Sequence, residues 1–234
     1  MALTDALLDR SSPRPLITCY DDATGERVEL SGVTTANWAA KTANLLRDEC
    51  DLEPGGRVAV LLPAHWQTAA VLLGAWWCGA EVVGDPDGAD LVLCDAGRID
   101  LALSVAPPHA LLALSLDAFG KGLTGLPDGV LDFATEVRLH GDDFVPWQPV
   151  PGSAPALDGV PVDAVLADAR ARAAALGLTS SARVLSTREW SDPDGLRDGL
   201  LAVLAAGASL VQCRNADGDL NNRATSERTT HRLP

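Results

Sequence analysis

The residues best suited to chemistry follow two strand-like apolar runs. His65-Trp66 comes just after Arg57-Val-Ala-Val-Leu-Leu62, and Thr187-Arg188-Glu189-Trp190 comes directly after Arg183-Val-Leu-Ser186. Open α/β sheets place ligands outside the carboxyl ends of their strands. His65, Trp66, Thr187, Arg188, Glu189 and Trp190 are therefore the candidate ligand-binding residues. A loop that combines a guanidinium, a carboxylate and an indole suits a small anionic ligand. The plainer alternatives are a helix-starting turn at His65-Trp66, with the indole on the surface, and an exposed loop at 187–190.

Other chemistry lacks its residues. The sequence contains no Gly-x-Ser-x-Gly, His-Glu-x-x-His, Walker or dinucleotide fingerprint. His65, His109, His140 and His231 are too scattered for a metal cluster. Asp142-Asp143 reads as a solvated loop. Asp85-Pro-Asp-Gly-Ala-Asp90 reads as a turn, because it lacks the closing glutamate of a calcium loop. No catalytic residue, metal or cofactor is assigned.

The elements that position these residues are legible as alternating strands and helices. Residues 3–10 form a short amphipathic helix. Leu16–Tyr20 and Glu26–Leu30 flank a hairpin in which Gly25 supplies positive φ. Thr35 offers an N-cap to a helix whose apolar positions run from Trp38 to Leu46. The run at 57–62 suits a strand covered on both faces. A helix over 65–77 and a strand at 81–83 complete a βαβ unit, and strands follow at 90–94 and 111–115. Trp76-Trp77 are read as core. Four prolines between 142 and 158 mark a linker between a first α/β half (1–141) and a shorter second half (159–234). The second half carries helices over 160–176 and 194–206, strands at 183–186 and 208–212, and a polar tail from Asn215 with little packing signal. The fold class is α/β with predominantly parallel sheets and flanking helices.

Composition narrows the partners. Eighteen Lys+Arg against 32 Asp+Glu give a net charge of −14, which disfavours nucleic acid and anionic membranes. No stretch is apolar enough to span a bilayer, and the amino terminus is acidic where a signal peptide is basic. Five dispersed cysteines without a C-x-x-C pair argue against a disulfide framework. A cytoplasmic protein is expected, with a homo-oligomeric or protein partner and a small-molecule ligand whose identity the sequence does not give.

Two segments repeat. Leu52-Glu-Pro-Gly-Gly-Arg-Val58, a helix and Gly79-Ala80-Glu-Val-Val83 match Leu178-Thr-Ser-Ser-Ala-Arg-Val184, a helix and Gly207-Ala208-Ser-Leu-Val211, with two extra residues in the second copy. The first copy, read through Leu61-Leu-Pro63, resembles the opening of the amino-terminal domain of the adenylate-forming superfamily: acyl-CoA synthetases, adenylation domains and luciferases. The second copy resembles the stretch after that family's phosphate loop, and Glu227-Arg-Thr-Thr-His231 its Glu-Arg-Val-Thr-His segment. The resemblance covers roughly residues 16–234. It implies two pseudo-repeated halves and an acyl-binding region near Thr187–Trp190. It also exposes departures. Where the family carries a Ser/Thr/Gly-rich loop ending in Pro-Lys, this chain reads Pro151-Gly-Ser-Ala-Pro-Ala-Leu-Asp-Gly-Val-Pro161. Its only lysines, Lys41 and Lys121, match no catalytic position, and the family's adenine- and ribose-binding motifs and carboxy-terminal domain have no counterpart in it. The expectation is a non-catalytic relative that acts by binding a protein or a small acyl- or nucleotide-like ligand. The alternative is an enzyme with different chemistry in the loops at the strand carboxyl ends.

Overall fold

The structure is a computed structural model that describes residues 2–234. In chain order the helices are α1 (Leu3–Leu7), α2 (Gly32–Asp48), α3 (Trp66–Trp77), α4 (Ile99–Val105), α5 (Phe133–Glu136) and α6 (Val162–Ala175). Helix α7 combines Pro193–Leu196, a π-helical turn Arg197–Leu201 and Ala202–Ala205, and α8 is Leu220–Ser226. The strands are β1 (Pro15–Asp21), β2 (Glu26–Ser31), β3 (Arg57–Leu61), β4 (Glu81–Val83), β5 (Leu91–Asp95) and β6 (Leu111–Leu114). They continue as β7 (Leu131–Asp132), β8 (Pro155–Leu157), β9 (Val160–Pro161), β10 (Arg183–Ser186), β11 (Ser209–Arg214) and β12 (His231–Leu233).

The chain forms two compact units. One comprises the residues up to Asp5, Asn37–Leu62 and Ala70–Val165; the other comprises Ala6–Ala36, Pro63–Ala69 and Leu166–Pro234. The first holds a seven-stranded sheet in the order β7-β6-β5-β3-β4-β8-β9, parallel except for the terminal pair β8–β9. Val58, Val92, Leu93, Leu111 and Leu112 are all fully buried, as both-faced coverage of a parallel sheet requires. Helices α2 and α3 meet at Gly74, where a Cβ would lie 2.6 Å from the Thr42 Cβ and 2.8 Å from the Ala39 carbonyl. Both adjacent tryptophans are core. Trp76 donates Nε1–H to the Ala156 carbonyl at 2.8 Å, and Trp77 meets Phe144 edge-on at 5.7 Å. The proline-rich stretch thus carries packing of its own. Phe144 and Val150 are buried, and Lys41 pairs with Asp142 at 2.8 Å.

The second unit holds a five-stranded sheet in the order β12-β10-β11-β1-β2, parallel except for the β1–β2 hairpin. Two expectations are corrected here. The cap of α2 is Ser31, whose Oγ accepts the Thr34 N–H at 3.1 Å; Thr35 lies inside the helix and donates back to the Ser31 carbonyl. The tail is structured. Asp219 caps α8 by accepting the Asn221 and Asn222 N–H groups, and β12 adds to the edge of β10. A seven-residue helix and a three-residue strand are too short to leave a hydrophobic period in the sequence.

The internal repeat is geometric as well as sequential. Arg57 pairs in register with Glu81 across β3–β4, and Arg183 pairs with Ser209 across β10–β11. Each intervening helix ends in a left-handed glycine, Gly79 (φ +86°) or Gly207 (φ +66°). The residue after each glycine bonds back alike, Ala80 N–H to the Ala75 carbonyl and Ala208 N–H to the Val203 carbonyl. Helix α3 has 12 residues, whereas α7 has one more, taken up by its π turn. No helix among the described residues is long and apolar enough to cross a membrane.

Candidate functional site

The second unit brings both predicted clusters together. The Glu189 carboxylate, on an exposed loop residue, accepts the Ala64 N–H at 3.2 Å and so ties the loop after β10 to the segment that starts α3. His65 is buried and its Nδ1 accepts the Gln67 N–H at 3.3 Å, a helix-starting role. Trp66 is 3% exposed rather than on the surface, with its indole 5.6 Å from the His65 ring. The Thr68 hydroxyl donates to the Pro63 carbonyl at 2.7 Å and closes the turn.

Beyond β10 the loop folds inward. Ser186 Oγ accepts the Arg188 N–H at 3.1 Å, and the Arg188 carbonyl accepts from Gln212 Nε2 at 3.0 Å, across to β11. Thr187 and Arg188 are half-buried and Trp190 is buried. The π turn of α7 aims Asp198 and Gly199 at this loop. A Cβ on Gly199 would stand 3.3 Å from Trp190 Nε1 and 3.4 Å from both Arg188 Cβ and Ser186 Oγ. Asp198 receives two hydrogen bonds from Arg172, at 2.7 and 2.6 Å, with Arg188 Nη1 at 3.7 Å. The Arg172 hydrogen bonds hold the Asp198 carboxyl below its ordinary range against the opposing effect of burial. Around this loop, Trp190 Nε1, Arg188 Nε and Gln212 Oε1 are buried without a hydrogen-bond partner among the described residues. Two donors and one acceptor on the loop after β10 and on β11 are thus left for a small oxygen-bearing group to satisfy.

Sequence reasoning named the loop as a candidate but not its neighbours Ser186, Asp198, Gly199 and Gln212. Two of these left a signal. Asp198 interrupts the apolar face of a buried helix, and Gln212 interrupts the apolar strand Leu210–Cys213. Isolated polar residues in such positions are retained when they are satisfied or used.

The stretch at the place of the resembling family's phosphate loop is a tight hairpin in the first unit. Leu157 pairs with Val160 across a two-residue tip, Asp158–Gly159, at φ +46° and +79°. Positive φ at both positions is the type I′ turn that Asp-Gly favours. Asp158 Oδ1 accepts the Gly84 N–H at 2.9 Å, and the Gly159 N–H is donated to Glu81 Oε1 at 2.6 Å. The Gly159 amide at the tip is thus engaged by a carboxylate, and the Asp158 and Ala154 amides by the Val82 and Pro151 carbonyls. Lys41 donates to the His140 carbonyl and pairs with Asp142.

Glu227, the first residue of the Glu-Arg-Thr-Thr-His segment, anchors the second unit. It accepts from Tyr20, Arg27 and Arg183, and Arg183 also donates to Thr18 at 3.0 Å. Burial alone would raise its carboxyl; the bonds from Arg27, Tyr20 and Arg183 outweigh that and hold it at about 2. Among the described residues no group of three His, Cys, Asp or Glu side chains is placed to hold a metal ion.

The pair of parallel sheets and their helices is the fold of the amino-terminal domain of adenylate-forming acyl-CoA synthetases. An acyl-CoA synthetase of Brucella canis superposes with a TM-score of 0.79 at 21% identity, over 97% of this chain and 46% of that one. MatB of Rhodopseudomonas palustris gives 0.76 at 16%, over 99% and 49%. The N-terminal domain of FACL13 from Mycobacterium tuberculosis gives 0.75 at 15%, over 99% and 62%. The chain thus spans about half the length of the first two and 62% of the third, and at such identities the likeness establishes the fold. The sequence is 55% identical to a Mycobacterium tuberculosis TIGR03089 family protein, over 99% of this chain and 96% of that protein. The chain belongs to the TIGR03089 family. No family model matches it.

Proposed function

We propose that the protein is a non-catalytic member of the acyl-CoA synthetase-like fold that binds a small acyl-type ligand in the recess between the 187–190 loop and the π turn of α7. The observation that carries this reading is the closed Asp158–Gly159 hairpin at the phosphate-loop position. Carboxylates at Glu81 and Asp158 repel a polyphosphate, and a two-residue tip leaves no run of free amides to cradle one. The recess around Gly199 keeps unpartnered donors at Trp190 and Arg188, which match a carbonyl or carboxylate oxygen. Access requires the 187–192 loop to open, since these atoms are buried.

The test is thermal unfolding with Mg-ATP, AMP, CoA and a set of acyl-CoAs and free carboxylates. At 100 times its dissociation constant, a ligand adds roughly 2.7 kcal/mol, on the order of 5–10 °C for a chain of this size. An acyl compound is expected to raise the Tm of the wild-type protein and to lose most of that shift in Trp190→Phe/Arg188→Gln. A shift with Mg-ATP, or acyl shifts untouched by the double variant, overturns the reading.

A further inference from the structure

A cavity of about 510 Å³ opens at the amino-terminal edge of the five-stranded sheet, where β1, β10 and β11 begin at Pro15, Arg183 and Ser209. It lies at the opposite strand ends from the 187–190 loop and shares none of that loop's residues. Its volume is that of a small-molecule site. Leu7, Leu16, Ala182 and Ala208 give it an apolar body, and three arginines line it, Arg14, Arg183 and Arg228.

The charges are not equivalent. Arg183 is consumed by Glu227 and Glu29. Asp9, the one acid lining the cavity, is bound by the Ser11 hydroxyl and N–H. Arg14 and Arg228 are exposed; Arg14 feels the Asp9 carboxylate electrostatically, but among the described residues neither guanidinium is within hydrogen-bond or ion-pair distance of a protein partner. In a chain with a net charge of −14, carboxylate partners are abundant, so two unpaired guanidiniums on one apolar cavity are a specific placement. Arg228 also holds a left-handed backbone (φ +52°) just past the end of α8, a position where glycine is the less strained residue.

We infer that this cavity is a second binding site, for an organic anion whose apolar body lies against Leu7, Leu16, Ala182 and Ala208 and whose carboxylate or phosphate meets Arg14 and Arg228. The guanidinium fork fits either head group.

Calorimetric titration of the full chain with octanoate, octyl phosphate and neutral octan-1-ol tests this. At least one of the two anions is expected to bind saturably at this cavity, and the tighter of the two names the head group. Arg14→Gln/Arg228→Gln, at two exposed positions, is expected to keep the wild-type Tm and to weaken that binding at least tenfold. The inference is overturned if neither anion binds, if octan-1-ol binds as tightly as the anions, or if the double variant binds them unchanged. Octanoate bound beside the 187–190 loop is told apart by Trp190→Phe/Arg188→Gln, which is expected to leave the binding that Arg14→Gln/Arg228→Gln weakens unchanged.

Discussion

Glu227 shows how a residue that reads as part of a family motif acts here as a structural anchor. Its carboxyl, 9% exposed, receives bonds from two arginines and a tyrosine, and it joins β1, β2 and β10 to the end of α8. Its folded pKa is about 2, below the ordinary 4.5. A depressed carboxyl stabilises fully above the unfolded value, and that contribution is lost as pH falls from about 4.5 through about 2. Chemical unfolding followed across that window is expected to show this loss. Glu227→Gln is expected to flatten it and to cost about 1 kcal/mol at pH 7, because the half-buried Arg183 loses its nearest carboxylate while Arg27, exposed, and Arg183 both keep Glu29. The cysteines give a second residue-scale prediction. Burial pushes the Cys19 and Cys78 thiols up to about 12 and the Cys94 thiol to about 11. Few thiolates then exist at pH 8. Ellman's reagent is expected to label these three slowly in the native protein and all five cysteines at once in denaturant; fast native labelling of any of the three contradicts their burial.

At the scale of elements, most of the architecture was legible. Continuous apolar runs at 57–62 and 111–115 fixed buried parallel strands, and Gly79 and Gly207 fixed where each repeat's helix ends. What stayed hidden has physical reasons. The cap of α2 moved from Thr35 to Ser31 because a threonine inside a helix can bond back to the carbonyl four residues earlier, which removes it as a cap. The tail's helix and strand were too short for periodicity. The candidate loop was found because it follows an apolar strand, but its partners on α7 and β11 are distant in sequence, and only the π turn brings Gly199 to them. Gly74→Ala tests the closest helix contact. With Thr42 Cβ at 2.6 Å and backbone at 2.8 Å there is no space for a methyl group. The substitution is expected to cost about 1–3 kcal/mol in urea unfolding. Gly25→Ala, at positive φ but with nothing within 4 Å, is expected to cost less, about 1 kcal/mol. Equal costs would contradict the close approach of α2 and α3.

For the whole molecule, scaffold and chemistry separate. A fold shared with acyl-CoA synthetases carries function in its sites rather than in its strands, and two places on this scaffold differ in character. The hairpin at 155–161 is a short type I′ turn flanked by carboxylates, whereas the β10–β11 end holds unsatisfied polar atoms beside a π-helical turn. The function we propose from these two places is that of a protein that holds an acyl group without activating it. The measurement that tests this most directly is ATP–pyrophosphate exchange by the purified full chain, run with Mg-ATP and the carboxylic acids corresponding to whichever acyl compound stabilises it. The account predicts that no label enters ATP while the acyl compound still raises the Tm of the same preparation. Exchange above the protein-free blank, dependent on the carboxylate, would contradict it.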